Sequence, residues 1–277
     1  STLDTLNELA AALGDDANFS TTVTNSIATK LPLAGGTMSG AIAILGGCGG
    51  IGRALVTDAV KIGYDVHVID LPQSIEAHPV DVPSISVDAT SEIDLARAAQ
   101  ELPSDLAGFV NLSGFMSDNC LISETGEDIW DEVLKGNLTA SYNAVRAMHS
   151  KLRKGASLVM TGSGLGHFAR PGYGPYAVAK AGIAALTRQI ALELAPSIRA
   201  NCVAPSAVDT AFLRGGTGRS DEKQRMRIDL DEYVDKVPLG RIAEPVDITG
   251  PILFLLSDAS RYMTGQVLHV NGGTFMP

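Results

Sequence analysis

The sequence lacks several features on which whole classes of function depend. Its three cysteines, Cys48, Cys120 and Cys202, are far apart and form no Cys-x-x-Cys pair, so the pattern favours buried thiols over a metal or redox site. The formal net charge of −10 argues against a surface for nucleic acid or anionic membranes. No apolar run approaches the roughly 20 residues of a membrane helix, and no signal-peptide pattern opens the sequence. We therefore expect a cytoplasmic protein that binds neither nucleic acid, membrane nor metal.

From Ala41 onward, short apolar runs alternate with stretches of helical period. The apolar runs predict seven buried strands: Ala41 to Leu45, Asp65 to Ile69, Ser84 to Val87, Gly108 to Asn111, Ser157 to Thr161, Arg199 to Ala204 and Val267 to Val270. The helices predicted between them include Ile51 to Ile62, Ile93 to Glu101, Ile129 to Leu152, Tyr176 to Leu194 and Pro245 to Leu256. This alternation predicts an α/β fold of the Rossmann type, with a doubly wound, seven-stranded parallel sheet and helices on both faces.

The first forty residues do not share this pattern. They combine a helical period of leucines with a Ser/Thr/Gly-rich stretch that ends at Gly40. The segment from Thr5 to Gly40 resembles the spacer repeats of bacteriophage tail-fibre proteins, and an arm that packs on a neighbouring subunit is the alternative. We expect residues 1–39 to be an N-terminal extension and residues 40–277 to form one domain that carries the function.

A glycine-rich loop, Gly46 to Gly52, follows the first predicted strand and precedes the first predicted helix. Glycine is needed where backbone must turn tightly or approach a pyrophosphate, and the N-terminus of a helix can receive phosphate groups. The second strand ends at Asp70, about 20 residues beyond the loop, where a carboxylate can bind the ribose hydroxyls of a dinucleotide. No cation follows Asp70, so this site would repel a 2′-phosphate. The sequence predicts NAD in preference to NADP, unless Asp70 is a solvated turn residue.

A second motif places groups suited to proton transfer behind this loop. Tyr176 and Lys180 are four residues apart in a predicted helix, so they share one face. A nearby ammonium favours the ionised phenol and lowers its pKa. Ser163 lies upstream and Asn137 earlier still. The pattern predicts general acid/base catalysis near neutral pH.

Together these motifs resemble the short-chain dehydrogenase/reductase family, in its single-domain branch with a Tyr-x-x-x-Lys motif, over about Ala41 to Pro277. Further matches are Asp88 after the third strand, Asn111-Leu-Ser-Gly114 after the fourth, and the turn from Asn201 to Thr210. The resemblance implies that the following residues bind the cofactor: Gly46, Gly50, Ile51, Gly52, Asp70, Leu71, Asp88, Ala89, Asn111, Ser113, Gly114, Tyr176, Lys180, Pro205, Val208 and Thr210.

The resemblance also implies an NAD-dependent alcohol dehydrogenase or carbonyl reductase, which transfers a hydride between NAD(H) and a small secondary alcohol or ketone. In this function Tyr176 exchanges the proton with the substrate oxygen, and Ser163 orients that oxygen. Lys180 lowers the phenol pKa and binds the nicotinamide ribose, and Asn137 holds a water that links Lys180 to solvent. Relatives usually pair through two long helices, which implies a homotetramer.

Alternatives to this function remain open. Tyr173 and Lys180 are separated by six residues, a spacing that enoyl reductase relatives use to reduce carbon–carbon double bonds. Tyr173 would then be the proton donor; otherwise we expect it to form a wall of the substrate pocket. His167, near Ser163, is a further candidate for substrate contact. A non-catalytic NAD-binding sensor on the same fold is the other alternative.

The segment from about residue 211 to residue 237 is expected to determine substrate choice. The sequence Gly-Gly-Thr-Gly within this segment gives it mobility, and charged residues of both signs follow. We expect this segment to form a lid over the site. Its basic residues would either bind an anionic substrate or an acyl-carrier phosphopantetheine, or lie on a solvated helix.

Overall fold

Seven parallel strands form one sheet within residues 40–216, 223–226 and 228–277, which the computed structural model describes. The strands are β1 (Ala41–Leu45), β2 (Asp65–Asp70), β3 (Ser84–Ser86), β4 (Leu106–Asn111), β5 (Leu152–Thr161), β6 (Arg199–Pro205) and β7 (Val267–Val270). Their order in the sheet is β3-β2-β1-β4-β5-β6-β7. The winding direction therefore reverses between β1 and β4, and ligands of open α/β sheets bind at the carboxyl ends of the strands beside such a reversal. The expected extension, residues 1–39, lies outside the described residues.

Helices cover both faces of the sheet, which confirms the predicted fold class. The α-helices of the described residues are α1 (Gly50–Lys61), α2 (Pro72–Ala77), α3 (Glu92–Glu101), α4 (Glu127–Leu134), α5 (Ala140–Met148), α6 (Gly174–Leu194), α7 (Leu230–Val234) and α8 (Pro245–Leu256). Alternate residues of β1 enter different cores: Ile42 packs in a cluster with Leu55 of α1 and Ile248 of α8, whereas Ala43 packs with Ile183 of α6. Burial on both faces explains why the strands are continuous apolar runs rather than alternating ones.

The predicted helix from Ile129 to Leu152 is divided into several parts, so the sequence analysis was wrong about its continuity. A π-helical turn, Lys135–Thr139, separates α4 from α5, a 3₁₀ turn, His149–Lys151, follows α5, and Leu152 already belongs to β5. The side-chain amide of Asn137 donates to the carbonyl of Val133 at 2.9 Å, so a side chain bonds to the helix backbone at this turn. Such π turns are frequent at functional sites.

Arg199, at the start of β6, joins this strand to the end of α8. Its guanidinium donates to the carbonyls of Leu255, Ser257 and Met263 at 3.0, 3.2 and 3.3 Å. It also donates to the hydroxyl of Ser260 at 3.0 Å. One partly buried cation therefore binds carbonyl groups at the end of α8 and in the segment that follows it. Ser157, Ser260 and Asn201 donate to the same oxygens.

We expect Arg199→Met to lower the free energy of unfolding by about 2–3 kcal/mol, because buried carbonyls lose a charged hydrogen-bond donor. Urea unfolding followed by circular dichroism measures this loss. Arg97→Met is the matched control, since exposed Arg97 makes a hydrogen bond to the Ser86 carbonyl and an ion pair with Asp94. The control should change stability by less than about 0.5 kcal/mol. Equal losses in the two variants would contradict the role given to Arg199.

Candidate active site

A cavity of about 540 Å³ opens at the carboxyl ends of the central strands. Leu45 at the end of β1, Asp70 at the end of β2, Thr161 at the end of β5 and Pro205 at the end of β6 all line it. Its volume falls within the range of roughly 300–1,000 Å³ that is usual for small-molecule and cofactor sites. Its position is the one expected for a ligand site in a doubly wound sheet.

The cavity brings together most of the residues that the sequence predicted for the site. Those that line it are Gly46, Gly50, Ile51, Gly52, Asp70, Leu71, Asp88, Ala89, Ser113, Gly114, Ser163, Tyr173, Tyr176, Lys180, Pro205, Val208 and Thr210. Three predicted residues, Asn111, Asn137 and His167, do not line it. Segments that are far apart in the chain therefore meet around one cavity, because the carboxyl ends of parallel strands lie at the same edge of the sheet.

The glycines of the loop after β1 allow backbone segments to approach closely. Gly46 has a φ of +86°, a conformation that side chains strongly disfavour. A Cβ atom on Gly52 would lie 2.2 Å from the Gly46 carbonyl oxygen, and one on Gly50 would lie 2.5 Å from Cγ2 of Thr210. The start of α1 is thus packed against its own loop and open to the cavity, with the first residues of the helix on the wall.

Asp70 is held in place by the backbone around it. Its Oδ2 accepts from the Cys48 amide at 2.8 Å and its Oδ1 accepts from the Leu71 amide at 2.7 Å. Burial raises the pKa of Asp70, whereas these two hydrogen bonds and one from Ser74 lower it. The carboxylate therefore links the glycine loop to the start of α2. Asp88, at the next strand end, accepts from the amide and the hydroxyl of Thr90 at 2.9 and 2.8 Å.

Tyr176 and Ser163 both line the cavity and interact there. The Tyr176 side chain is almost fully buried, and Phe212 packs against its ring with centroids 5.9 Å apart. Burial raises the pKa of the Tyr176 phenol well above its usual value, and the hydrogen bond with Ser163 opposes this rise. The predicted lowering of the Tyr176 pKa is therefore wrong in direction, because loss of solvent around the phenol outweighs the stabilisation of its ionised form.

Lys180 lies one helical turn after Tyr176 and faces the same space. Its Nζ is 5.6 Å from the centroid of the Tyr176 ring and donates to the Thr161 carbonyl at 3.0 Å. Burial lowers the pKa of Lys180 to about 8, and the nearby Cys202 thiol opposes this shift. The sequence prediction that Tyr176 and Lys180 share one face is confirmed by this contact.

Asn137 and Asn111 hold the loop that follows β4. Asn137 is fully buried, and its amide donates to the Phe115 carbonyl at 2.9 Å while its Oδ1 accepts from the Phe115 amide at 3.3 Å. Asn111 accepts from both the amide and the hydroxyl of Ser113, at 3.0 and 2.6 Å. Both asparagines therefore position the loop that lines the cavity, and they act from behind it.

His167 points away from the cavity, towards the end of the chain. Its ring lies edge-on to His269 with centroids 4.6 Å apart and stacks on Phe275 at 6.2 Å. Burial lowers the pKa of both histidines. The 3₁₀ turn Gly164–Gly166 directs the chain so that Phe168, and not His167, faces the cavity.

Several lining residues escaped the sequence analysis. Thr161 could have been found, because it ends β5 at the edge where ligands bind. Phe168 and Arg170 could not, since each lies in a connecting segment whose path depends on packing, whereas Phe212 and Tyr233 belong to the segment expected to cover the site. Part of the expected lid thus contributes to the cavity wall, while residues 217–222 and 227 of that segment lie outside the described residues.

The described part of the chain contains no candidate metal site and no candidate membrane span. No group of three or more histidine, cysteine, aspartate or glutamate residues there could hold a metal ion. None of the helices described is both long enough and apolar enough to span a bilayer.

Comparison with known proteins links the chain to characterised sequences over most of its length. Residues 46–274 match the family model described as enoyl-(acyl carrier protein) reductase. The 3-oxoacyl-[acyl-carrier-protein] reductase FabG of Aggregatibacter actinomycetemcomitans is 32% identical over 252 residues, which cover 85% of this chain and 99% of the relative. FabG of Staphylococcus epidermidis is 30% identical over 250 residues, covering 84% of this chain and 98% of the relative.

Solved structures agree with these sequence matches. A short-chain dehydrogenase/reductase from Brucella melitensis, described as a glucose/ribitol dehydrogenase, superposes with a TM-score of 0.76 at 25% identity, covering 86% of this chain and 97% of its own. A short-chain dehydrogenase family protein from Francisella tularensis superposes with a TM-score of 0.72 at 28% identity, covering 84% and 98%. The cavity, the Ser163–Tyr176–Lys180 group and these matches agree: the chain belongs to the short-chain dehydrogenase/reductase family of oxidoreductases.

Proposed function

We propose that the protein is an NAD(H)-dependent oxidoreductase that interconverts a ketone and a secondary alcohol. The observation that carries this proposal is the placement of Tyr176, whose ring lies 5.6 Å from the Lys180 ammonium in the cavity that Ser163 and the glycine loop also line. A bound nicotinamide would exchange a hydride with the substrate carbon. The residues of the chain supply binding, orientation and the proton.

The lining of the cavity fits a nicotinamide dinucleotide. The glycine loop and the first residues of α1 line the cavity, and backbone amides at a helix N-terminus suit a pyrophosphate group. At the other side of the crevice, the buried Oγ1 of Thr161 has no hydrogen-bond partner among the described residues. Buried hydroxyls rarely lack partners, so this atom supports a polar ligand group at the end of β5.

The proton chemistry follows from burial and from the charge of Lys180. Because burial keeps the Tyr176 phenol protonated, this group is ready to donate its proton to a ketone oxygen. Ser163 would hold the same oxygen, and the Lys180 ammonium would stabilise the phenolate that remains. Lys180 would also bind the nicotinamide ribose.

The names of the relatives support a carbonyl substrate. Both FabG relatives are named 3-oxoacyl-[acyl-carrier-protein] reductases, and a 3-oxoacyl group is a ketone. The matching family model carries an enoyl reductase name, which keeps the use of Tyr173 as the alternative. The position of Tyr176 beside Lys180 favours the ketone reaction. Tyr173 precedes the first residue of α6 and forms part of the cavity wall.

Preference for NAD over NADP is proposed from Asp70. Its carboxylate lines the cavity after β2, where both of its oxygens are already oriented by backbone amides. A 2′-phosphate at this position would meet a fixed negative charge. The homotetramer, the cytoplasmic location and the closing of the 211–237 segment stay predictions from the sequence.

We expect Tyr176→Phe to lower kcat/KM for ketone reduction by about 10²- to 10⁴-fold, because the proton donor is lost. The measurement is absorbance of the reduced nicotinamide with a panel of ketones and of enoyl thioesters. Tyr173→Phe is the matched control, which should keep ketone turnover within a few-fold. Loss of enoyl turnover in Tyr173→Phe alone would instead favour the enoyl reaction. Binding of NAD without turnover of any substrate would favour the sensor.

We expect Asp70→Asn to reduce the preference for NADH over NADPH by about tenfold or more, because it removes the charge that repels a 2′-phosphate while keeping the side-chain shape. The preference is measured as the ratio of kcat/KM for the two cofactors. Asp65→Asn, an exposed change at the opposite end of the same strand, should leave the ratio unchanged. An unchanged ratio in Asp70→Asn would mean that the ribose site is wrongly placed.

The rate of ketone reduction should fall as pH rises through about 8, since the pKa of Lys180 is lowered to about 8 by burial. Above this pH the ammonium loses its proton, and the phenolate left by Tyr176 loses its stabilising charge. A pH profile of kcat/KM measures the effect. In Lys180→Arg the charge persists, so the decline should move to higher pH; a decline at the same pH would assign it to another group.

A further inference from the structure

Arg170 lines the same cavity and is held there by two aromatic rings. Its guanidinium carbon lies 5.6 Å from the centroid of Phe168 and 5.9 Å from the centroid of Tyr233. Phe168 follows the 3₁₀ turn after β5, and Tyr233 belongs to α7, so the arginine connects two separate walls. Contacts with ring faces orient a guanidinium plane and leave its N–H edge available.

The polar edge of this partly buried guanidinium has no protein acceptor among the described residues. The arginines at 97, 146, 214 and 241 each form an ion pair with a carboxylate in that part of the structure, whereas the contacts of Arg170 there are the two rings. An arginine kept in a cavity wall in this state is suited to an acceptor that arrives with a ligand.

The charges of the cavity are separated along the sheet. Asp70 and Asp88 follow β2 and β3, on one side of the β1–β4 crevice, and Arg170 follows β5 on the other side. Lys180 is engaged by the Thr161 carbonyl. Glu132 and Lys135 add one charge of each sign to the wall. At the end of the cavity where Phe168, Tyr173 and Tyr176 lie, Arg170 is therefore a cation without a protein acceptor among the described residues, in addition to the engaged Lys180.

We propose that Arg170 binds an oxyanion group of the substrate, so that the ketone reduced by this enzyme carries a carboxylate or a phosphate. This inference rests on the proposed function and adds the substrate class to it. Arginine binds both groups through two parallel N–H donors, which also fixes the orientation of the molecule. The carbonyl of such a substrate would then point towards Tyr176, six residues further along the chain.

The test compares pairs of ketones that differ only in charge. Levulinate is compared with methyl levulinate, and dihydroxyacetone phosphate with dihydroxyacetone, by kcat/KM with NADH. The wild-type protein should favour the charged member of at least one pair, and Arg170→Met should reduce that preference by about ten- to hundred-fold. Arg170→Lys should restore part of it. The pair that responds distinguishes a carboxylate from a phosphate.

The control is Arg146→Met, since Arg146 also stacks on a ring, that of Tyr142 at 5.4 Å, but does not line the cavity. This variant should keep the wild-type preference. The proposal is overturned if the wild-type protein favours the charged ketone in neither substrate pair. It is also overturned if Arg170→Met shows the same preference for the charged ketone as the wild-type protein.

A binding measurement separates this proposal from the proposed reaction. Benzoate, phenyl phosphate and benzamide are titrated into the NADH-loaded protein, with nicotinamide fluorescence as the signal. One of the two anions should bind at least about tenfold more tightly than benzamide, and Arg170→Met should remove the difference. Tyr176→Phe should keep it. If anions bind through Arg170 but no ketone is reduced, the proposed reaction fails and the oxyanion site stands; equal binding of all three probes overturns the site.

Discussion

The ammonium of Lys180 is buried against the carbonyl of Thr161, 3.0 Å away, and this contact fixes α6 over the end of β5. Because Tyr176 lies one turn earlier on α6, its phenol is placed beside the same charge and beside Ser163. Burial of the Lys180 ammonium destabilises its charged form, and the pKa of Lys180 is lowered as a result. The positions of the Tyr176 phenol and the Lys180 ammonium thus follow from the packing of α6 against the end of β5.

A second layer of polar contacts keeps this arrangement rigid. The π turn of Lys135–Thr139 directs Asn137 inwards, where its side chain binds both backbone groups of Phe115. A Cβ atom on Gly114 would lie 2.5 Å from Oδ1 of Asn137 and 3.3 Å from Nζ of Lys180, so the loop after β4 runs close to both groups. Residues that never line the cavity therefore determine its shape, which is a common property of preorganised sites.

The two ends of the cavity carry charged side chains of opposite sign. The end beside β2 and β3 presents Asp70 and Asp88, which suit neutral hydroxyl groups, whereas the end beyond β5 presents aromatic rings and Arg170. Fold similarity alone does not specify a substrate, because related folds host different sites. The difference in charge between the two ends is a property of this chain, and it is the observation from which a substrate class can be argued.

The sequence by itself determined the fold class, and it predicted the Tyr176 and Lys180 pair that lines the cavity. Continuous apolar runs such as that of β1 and the helix Pro245–Leu256 have the predicted bounds, because burial on both faces of a sheet leaves a strong pattern in the chain. Tertiary structure alone decided where the side chains of the connecting segments point and how burial changes the pKa of the Tyr176 phenol. His167 faces His269 and not the cavity, Arg170 enters the cavity wall, and burial reverses the expected shift of the Tyr176 pKa. Side-chain direction in a loop and solvent access around a phenol depend on neighbours distant in the chain, and local sequence does not encode them.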